Sequence, residues 1–405
     1  MTKRAMFLLW AGAAISVSEI FTGGLLAPLG FAKGLFAILA GHLIGTLFLA
    51  GGAYVSYKRK INAMEAVAFS FGKVGGRLAA LCNLIQLTGW IIILIVQSAS
   101  AITGVFSTIP FWAAALVLAA AQMVWAAAFG SPASRMNSAA VVLLALLCFL
   151  FLFEASGGGA GLAVEGGISL TLGIELSIAM PVSWLPLAGD YSCKAKTKSC
   201  AVWAPFWGYF LASCFMYIIG LYIAVKTGKD IFGFIASGRF RYAACVIVLL
   251  STMTTNFVAL YSAALSSKQW IKSGGTRLPI MVIGMLALVV SVFFPAERFA
   301  LVLERFLGGI MMVFTPIFTI VLLECFTNKV RFEKQANIRL LIIVIICMFA
   351  NFLFNKYAVL IPMPATALLA AALFFISERM SGGRGDTHRV TRGVSEKSVV
   401  SDDGV

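Results

Sequence analysis

Polar side chains form a stripe on one helical face of an otherwise apolar segment around residue 90. At 3.6 residues per turn, the stripe consists of Asn83, Gln86, Trp90 and Gln97. Amide groups bond the edge of a flat ligand, and an indole ring stacks on its face. Asn and Gln side chains also join membrane helices through hydrogen bonds. This segment alone therefore fits either a binding site for a flat molecule or a contact between helices.

A second polar cluster crowds five residues into six positions of another apolar segment: Ser251, Thr252, Thr254, Thr255 and Asn256. Residues four apart share a helical face, which pairs Thr252 with Asn256 and Ser251 with Thr255. Hydroxyls beside backbone carbonyls are hard oxygen ligands that could bind a small cation. The Asn256 amide can donate and accept, which suits the edge of a heterocycle. The alternative is that the hydroxyls bond their own helix backbone.

Glu19 is the main ionisable residue inside an apolar segment. Such residues are costly in a membrane and are usually functional, so Glu19 is a candidate proton site. His42 is predicted to be a packing residue rather than a proton relay. The two histidines and the scattered carboxylates form no catalytic set, and the cysteine spacing fits no common zinc pattern. The sequence therefore predicts neither an enzyme, nor a metal site, nor a cofactor.

The elements that hold these residues are predicted to be membrane helices. The chain has 405 residues, of which 61% are hydrophobic and 12% are charged, and its mean hydropathy is +0.98. Soluble domains have roughly half apolar and a quarter charged residues. Because a span needs roughly 20 apolar residues, we predict an all-α polytopic membrane protein with about twelve spans. They lie near residues 5–30, 34–56, 77–104, 110–129, 134–154, 172–189, 200–225, 241–266, 277–295, 299–325, 336–354 and 357–377.

The distribution of Lys and Arg predicts the orientation. The net charge is +15, and alternate connections between the spans are consistently the more basic. By the positive-inside rule, both termini are cytoplasmic in a multi-pass protein of the plasma (inner) membrane. The aromatic residues lie inside the apolar runs, so no basic-aromatic surface for nucleic acid is predicted. The polar, Gly-rich tail at 378–405 is predicted to be disordered.

Two of the predicted spans are interrupted. The sixth contains Pro181 and Pro186, and the first contains Glu19, a Thr-Gly-Gly sequence and Pro28. A proline inside a helix removes a hydrogen bond, and lipid offers no water to replace it. Interrupted segments at corresponding positions of two halves point to an inverted-repeat transporter with its site at the breaks. Kinked packing helices are the alternative interpretation.

Several short motifs resemble one family, the nucleobase:cation symporters, which include cytosine, purine and hydantoin permeases. The eighth span has Thr-Thr-Asn followed by Ala-Leu-Tyr, the third has Gly-Trp, and the first has Thr-Gly-Gly. The tenth span has Leu-Gly, a proline and an acidic residue, and the sixth ends in Gly-Asp-Tyr-Ser. The matching residues are Thr254–Asn256, Ala259–Tyr261, Gly89, Trp90, Thr22–Gly24, Leu307, Gly308, Pro316, Glu324 and Gly189–Ser192. Within the family, the sequence is most similar to the hydroxymethylpyrimidine branch.

The resemblance implies a fold of five-plus-five inverted repeats with broken helices 1 and 6, two additional C-terminal helices, and alternating access. The corresponding regions are 1–154 for the first repeat, 155–325 for the second, 326–377 for helices 11 and 12, and 378–405 for the tail. The expected function is import of a pyrimidine-type nucleobase or of a thiamin precursor, hydroxymethylpyrimidine, by cation symport. An amino-acid or amine symporter of the same fold is the alternative. A channel is not expected, because the polar residues cluster at one depth instead of lining a pore.

The resemblance also implies the site residues. The ligand stacks on the third-span tryptophan and bonds the eighth-span asparagine and the sixth-span break. Trp184 lies three residues beyond the second tryptophan of hydantoin-type members, and Gln86 lies one residue from the glutamine of cytosine-type members. The implied substrate-binding set is Trp90, Asn256, Gln86, Met180, Pro181, Ser183 and Trp184. The expected coupling ion is Na⁺ or H⁺, and sodium is favoured. The implied sodium ligands are the carbonyls of Gly12 and Ile15 and the hydroxyls of Ser251 and Thr252. A coupling proton would instead bind Glu19.

Overall fold

The predicted all-α class is confirmed. A computed structural model describes residues 2–129, 135–157, 167–270, 275–327, 336–357 and 360–382, and their regular structure is helical. The α-helices in chain order are α1 (Lys3–Ala14), α2 (Val17–Gly24), α3 (Phe31–Arg59), α4 (Ala63–Val105), α5 (Phe111–Phe129), α6 (Arg135–Ser156), α7 (Leu170–Ser183), α8 (Leu185–Ser192), α9 (Ala204–Thr227), α10 (Ile231–Ser237), α11 (Arg241–Ser267), α12 (Arg277–Val292), α13 (Phe299–Thr327), α14 (Ile338–Tyr357) and α15 (Pro362–Gly382).

The described helices account for the predicted spans. Eight helical stretches are long and apolar enough to cross a bilayer, and the bent pair α1–α2 makes a ninth. Two further helices, α5 and α12, include shorter apolar stretches. With α6, a helix lies at each of the predicted span positions.

Helix packing relates the two halves of the chain. The second span, α3, packs on α7 and α8, which form the sixth span, and α9, the seventh span, packs on α1 and α2, which form the first. In the same way, α4 packs on α11, and α5 packs on α12. Such reciprocal contacts are those of a five-plus-five inverted repeat. The last two helices, α14 and α15, pack on each other and on α13; the exact boundary of the repeats at 154 stays a prediction.

The break in the first span lies earlier than the sequence predicts. The helices α1 and α2 meet at 52°, and the residues between them are Ile15 and Ser16. Ser16 is extended (φ −143°, ψ 156°), and its hydroxyl accepts a hydrogen bond from the Glu19 amide at 3.3 Å. An N-cap of this kind starts a new helix. Glu19 is therefore a first-turn residue of α2, and its expected place inside the break is wrong.

The Thr-Gly-Gly sequence of α2 serves close packing, and its residues are helical. A Cβ atom on Gly23 would collide with the backbone of Tyr217 in α9, and one on Gly220 of α9 would collide with the Ile20 carbonyl of α2. The absence of side chains thus lets the two backbones touch, as small residues do in membrane helix contacts.

This close approach predicts that Gly220→Ala destabilises the protein. Backbone atoms cannot yield as a flexible side chain does, and overpacking typically costs about 1–3 kcal/mol. The midpoint of thermal unfolding in detergent should fall. Gly309→Ala is the matched control, because a Cβ there meets nothing within 4 Å. An equal midpoint for both variants would contradict the tight α2–α9 contact.

The break in the sixth span is milder than expected. Only Trp184 separates α7 from α8, with φ −92° and ψ −7°. Its amide donates to the Pro181 carbonyl at 3.3 Å, which makes a tight turn. Pro186 lies at the start of α8, where its missing N–H removes no helical bond. The two prolines therefore do not unwind the span, and the stretch Leu170–Ser192 remains long and apolar enough to cross a bilayer as one span.

The cytoplasmic connection predicted before the third span is helical. α4 begins at Ala63 after a capping box of Asn62 and Glu65, and it kinks at Gly72, where φ is +76°. Asp190, at the end of α8, accepts a hydrogen bond from the Ala63 amide at 3.2 Å. The sixth span is thereby tied to the start of α4.

The last helix also runs past its predicted end at 377. α15 ends at Gly382, and Glu378 pairs with Arg339 at 2.6 Å. The prediction of a disordered tail from 378 is therefore wrong for 378–382; residues 383–405 lie outside the described residues.

Candidate functional site

Two tryptophan rings face each other beside the sixth-span break. Trp90 of α4 and Trp184 are nearly parallel, with 6.1 Å between the ring centroids and 16° between the planes. Phe306 of α13 meets Trp90 edge-on at 5.4 Å and 81°. Both tryptophans are only 2% exposed. The structure thus pairs Trp184 with Trp90, although Trp184 lies three residues beyond the family's position.

Gln86 lies one turn before Trp90 and joins α4 to the break. Its amide nitrogen donates to the Ser183 carbonyl at 3.2 Å and to the Asn83 Oδ1 at 2.9 Å. Asn83 in turn donates to Ser266 of α11 at 2.7 Å. The Gln86 Oε1 and the Trp90 Nε1 are buried without a partner in the described part of the chain. One acceptor and one donor are therefore left over on the same side of α4.

Asn256 of α11 adds a third incompletely bonded side chain. It is fully buried, and its Nδ2 donates to the Ile91 carbonyl of α4 only at 3.5 Å. Its Oδ1 has no partner within the described residues. Because buried polar atoms are normally hydrogen-bonded, this amide is set up to bind something else.

The remaining predicted substrate residues lie in the last turn of α7. The Ser183 hydroxyl donates to the Met180 carbonyl at 2.6 Å, so it is used within its own helix. Pro181 packs its ring against Gly45 of α3. Met180 is 1% exposed. The contacts thus direct Pro181 towards α3, while Trp184 is the residue of the break that reaches Trp90.

Thr252, one of the predicted cation ligands, belongs to a layer of hydrogen-bonded side chains. The Thr252 hydroxyl is bonded to the Ser98 hydroxyl of α4, and its carbonyl accepts from Gln122 of α5 at 3.3 Å. Ser18 of α2 donates to Gln97, the neighbour of Ser98. This layer joins four helices, α2, α4, α5 and α11.

The other predicted cation ligands are Gly12, Ile15 and Ser251. Gly12 belongs to the last turn of α1, where helical carbonyls lack intrahelical donors, and Ile15 follows as the C-cap. The Ser251 side chain lies outside the described part of the structure. The Thr255 hydroxyl is buried and has no partner among the described residues. Where the structure is described, His, Cys, Asp and Glu form no cluster that could hold a metal ion.

Glu19 faces the seventh span. Its two carboxyl oxygens accept hydrogen bonds from Tyr209 and Ser213 of α9, each at 2.6 Å. The Ser213 hydroxyl is also 2.6 Å from the Nε2 of His42 in α3. His42 is buried, as expected of a packing residue, and its ring also belongs to a buried hydrogen-bonded chain.

Sequence reasoning missed five residues of these networks: Ser18, Ser98, Gln122, Tyr209 and Ser213. Ser18 and Ser98 adjoin the noted residues Glu19 and Gln97, whereas Gln122, Tyr209 and Ser213 are isolated polar residues in apolar runs. A polar residue in a membrane helix can bond its own helix or a neighbouring one. The residue type alone therefore does not predict which of these bonds it forms. Their partners on other helices are what distinguish them.

Two cavities flank α13. One of about 340 Å³ lies between α7, α13 and α14 and is bordered by Glu175, Glu304 and Asn355. The other, of about 260 Å³, lies between α4 and α13 and reaches Gln86 and Phe306. The second cavity therefore touches the same side chains that surround Trp90.

No protein-family model and no curated protein sequence matches this chain. Solved structures do match it over almost its full length. One match is Mhp1, a nucleobase-cation-symport-1 family transporter, in a closed conformation with bromovinylhydantoin bound. Its TM-score is 0.74 at 15% sequence identity, and the match covers 94% of this chain and 92% of that chain. The inward-facing conformation of Mhp1 has a TM-score of 0.75 at 17% identity over 93% and 90%.

A more distant match is a transporter with a different substrate. A Na⁺-coupled sialic acid symporter, in a substrate-bound outward-open state, has a TM-score of 0.65 at 13% identity over 95% of this chain and 90% of that chain. At these identities the likeness concerns the fold alone. The chain therefore shares the fold of Mhp1.

Proposed function

We propose that this protein is a secondary active transporter. It imports a pyrimidine-type nucleobase or the thiamin precursor hydroxymethylpyrimidine by cation symport, with alternating access. It works in the plasma (inner) membrane with both termini in the cytoplasm, and it needs no cofactor. Its partners are the heterocyclic substrate, the coupling cation and the lipid bilayer.

The observation that supports this proposal most is the pair of parallel indoles with incompletely bonded polar atoms around it. Trp90 Nε1, Gln86 Oε1 and Asn256 Oδ1 are buried and lack partners among the described residues. An unmade buried hydrogen bond costs about 1–3 kcal/mol. A pyrimidine has ring nitrogens and exocyclic groups in one plane, so it could stack on an indole and pair with these atoms at its edge.

The spacing of the rings bears on how such a ligand enters. A ring placed between two others needs about 7 Å, twice a carbon contact distance of about 3.5 Å. The centroids of Trp90 and Trp184 are 6.1 Å apart. Insertion therefore requires Trp184 to move away from Trp90, and the one-residue break at Trp184 is where span 6 can bend. The same movement would open or close one side of the site.

The alternative of an amine substrate is less well supported. It would use Glu19 to bind an ammonium group, yet both carboxyl oxygens of Glu19 already accept hydrogen bonds from α9. The two tryptophans and Asn256 carry no charge.

Uptake into proteoliposomes tests the function directly. Labelled hydroxymethylpyrimidine should accumulate when an inward cation gradient is imposed, and unlabelled hydroxymethylpyrimidine should compete. If amino acids or amines compete and pyrimidines do not, the amine alternative replaces this proposal. Liposomes without the protein provide the background rate.

Coupling to sodium gives a further prediction. At fixed pH, uptake should rise with external sodium. Thr252→Ala should raise the sodium concentration for half-maximal rate about 5- to 30-fold, because a lost ligand of about 1–2 kcal/mol corresponds to such a factor. Thr319→Ala is the control, since this hydroxyl bonds only its own helix at Thr315. An uptake rate that does not change with the external sodium concentration would contradict sodium coupling.

A further inference from the structure

A chain of three buried side chains crosses the contact between α2, α9 and α3. Ser213 stands in the middle, with its Oγ 2.6 Å from Glu19 Oε2 and 2.6 Å from His42 Nε2. The Nδ1 of His42 is 2.9 Å from the Ile38 carbonyl. Glu19, Ser213 and His42, here called the triad, are each at most 1% exposed.

Counting hydrogens fixes the number of protons in the triad. A carbonyl only accepts, so the Nδ1 of His42 must carry a hydrogen. The Ser213 hydroxyl has one hydrogen and two partners. With an ionised Glu19 and a neutral His42, one of the two 2.6 Å contacts would bring two acceptors together. The observed geometry therefore needs one more proton, either on Glu19 or on the Nε2 of His42.

The two placements of this proton interconvert along the chain. In one, the Glu19 carboxyl donates to Ser213, and Ser213 donates to a neutral His42. When Glu19 passes its proton to Ser213 Oγ and Ser213 passes its own hydrogen to Nε2, the result is a carboxylate and an imidazolium. No proton enters or leaves in this exchange, and the triad is neutral as a whole in both forms.

The surroundings favour a neutral triad. The polar and titratable groups that face the triad from α9 are Tyr209, Cys214 and Tyr217. Tyr209 donates a hydrogen bond to Glu19 Oε1, and the ring centroid of Tyr217 lies 4.5 Å from that of His42. Tyr217 donates its hydroxyl to the Leu176 carbonyl of α7. The ion pair found in the described part of the chain joins Arg339 and Glu378 and does not involve Glu19. An unpaired buried charge would be costly.

We propose that the triad is a proton-binding site that holds one exchangeable proton and loses it when α2 or α3 separates from α9. Once the proton has left to water, Ser213 can donate to only one of its two partners. The other 2.6 Å contact then becomes repulsive, so the loaded geometry is not stable without the proton. Because Glu19 lies on α2 and Ser213 on α9, proton binding holds the broken first span against the seventh.

The site is connected to the proposed cation region through α2. Ser18 precedes Glu19 in α2 and is hydrogen-bonded to Gln97 of α4. Ser98 follows Gln97 in α4 and is hydrogen-bonded to Thr252 of α11. A shift of α2 would therefore act on both regions. The transport consequence rests on the proposed function: the protein should couple uptake to a proton in addition to its response to sodium.

Imidazole nitrogen resonances test the triad without any substrate. The chain has two histidines, so His388→Gln leaves His42 as the one histidine in ¹⁵N-histidine-labelled protein. We expect a protonated Nδ1 and an Nε2 whose signal changes with pH. In Glu19→Gln, the new amide donates to Ser213, and the Nε2 should stay a pure acceptor at every pH. A neutral ring with its hydrogen on Nε2, or an unchanged titration in Glu19→Gln, would overturn the proposal.

Transport provides the second measurement. A single symported proton and a gradient of one pH unit store about 1.4 kcal/mol, which is up to about a tenfold accumulation of substrate. Glu19→Gln should lose this accumulation and keep exchange of labelled pyrimidine at equal pH on both sides. Thr227→Val is the control on α9, because its hydroxyl bonds only the Ile223 carbonyl and the Lys229 amide at the end of this helix, 14 residues after Ser213.

The outcomes separate the two proposals. If the wild-type protein exchanges no pyrimidine, the proposed function fails, and the imidazole resonances alone decide on the triad. If exchange proceeds and a pH gradient drives no accumulation, the proton site is rejected while the transport function stands.

Discussion

Replacement of Trp90 by alanine should lower the affinity for a pyrimidine about tenfold to a hundredfold and abolish measurable uptake. Stacking of a base on an aromatic side chain is worth about 1–3 kcal/mol, and Trp90 is the indole that contacts both Trp184 and Phe306. Trp90→Phe keeps an aromatic face and should retain part of the affinity. Affinity is measured by quenching of tryptophan fluorescence, and uptake in proteoliposomes.

The stability of the variant must be measured in the same experiment. Removing a buried tryptophan leaves a cavity that can cost about 3–5 kcal/mol, so a lost signal has meaning only if the protein remains folded. Trp90→Phe answers this, because it fills most of the space. Trp207→Ala controls for fluorescence, since this residue is 48% exposed. A folded Trp90→Ala protein with unchanged affinity would move the stacking role to Trp184.

Hydropathy predicted the positions of the spans well because lipid permits few solutions. Every backbone polar group in the bilayer core must be bonded within the protein, so long apolar runs become helices. The predicted 34–56 and 299–325 correspond to α3 (Phe31–Arg59) and α13 (Phe299–Thr327). The C-terminal end of α3 lies later than predicted because Lys58 and Arg59 extend the helix beyond the apolar run.

The breaks were harder to place from residue types. Glycines and prolines mark helix ends in water-soluble proteins, and this reasoning placed Glu19 in the first break, followed by Thr22–Gly24 and Pro28. In the structure α1 ends at Ala14 with Ile15 as its C-cap, and Ser16 is the N-cap of α2. A serine in an apolar run either caps a helix or bonds its own helix backbone. The glycines instead permit contact with α9, which depends on a helix about 190 residues away in sequence.

Trp184 shows how a helix break can change the outcome of a residue-by-residue comparison. It lies three residues beyond Pro181, where the resemblance implies a second tryptophan. Pro181 packs on Gly45 of α3, whereas Trp184 forms the turn between α7 and α8, and its ring reaches Trp90 of α4. Matching residue by residue does not include this turn and therefore treats the shift as a loss.

The triad could not be predicted from the sequence, because its members come from three different spans. Glu19 and His42 were noted separately, yet Ser213 looks like any small polar residue of a membrane helix. Only the packing of α2 and α3 on α9 brings them to hydrogen-bonding distance.

Replacement of Asn256 by alanine should weaken substrate binding about tenfold to a hundredfold with little effect on membrane insertion. The side chain is fully buried, its Nδ2 makes one long bond of 3.5 Å to Ile91, and its Oδ1 has no partner among the described residues. The protein alone therefore gains little from this amide. A heterocycle that pairs with both ends of the Asn256 amide should lose about 1–3 kcal/mol of binding free energy when the amide is removed.

Asn256→Asp makes the prediction sharper. An ionised carboxylate has nearly the same shape as the amide but only accepts hydrogen bonds, so this variant too should lose affinity for a ligand that needs a donor and an acceptor. Asn351→Ala is the matched control, because that asparagine is equally buried and bonds Thr366 within the pair α14–α15. Calorimetric titration with hydroxymethylpyrimidine measures the affinity. Equal affinities of wild type and Asn256→Ala, with both proteins folded, would mean that the substrate edge is read by Gln86 or by the backbone of the sixth-span break instead.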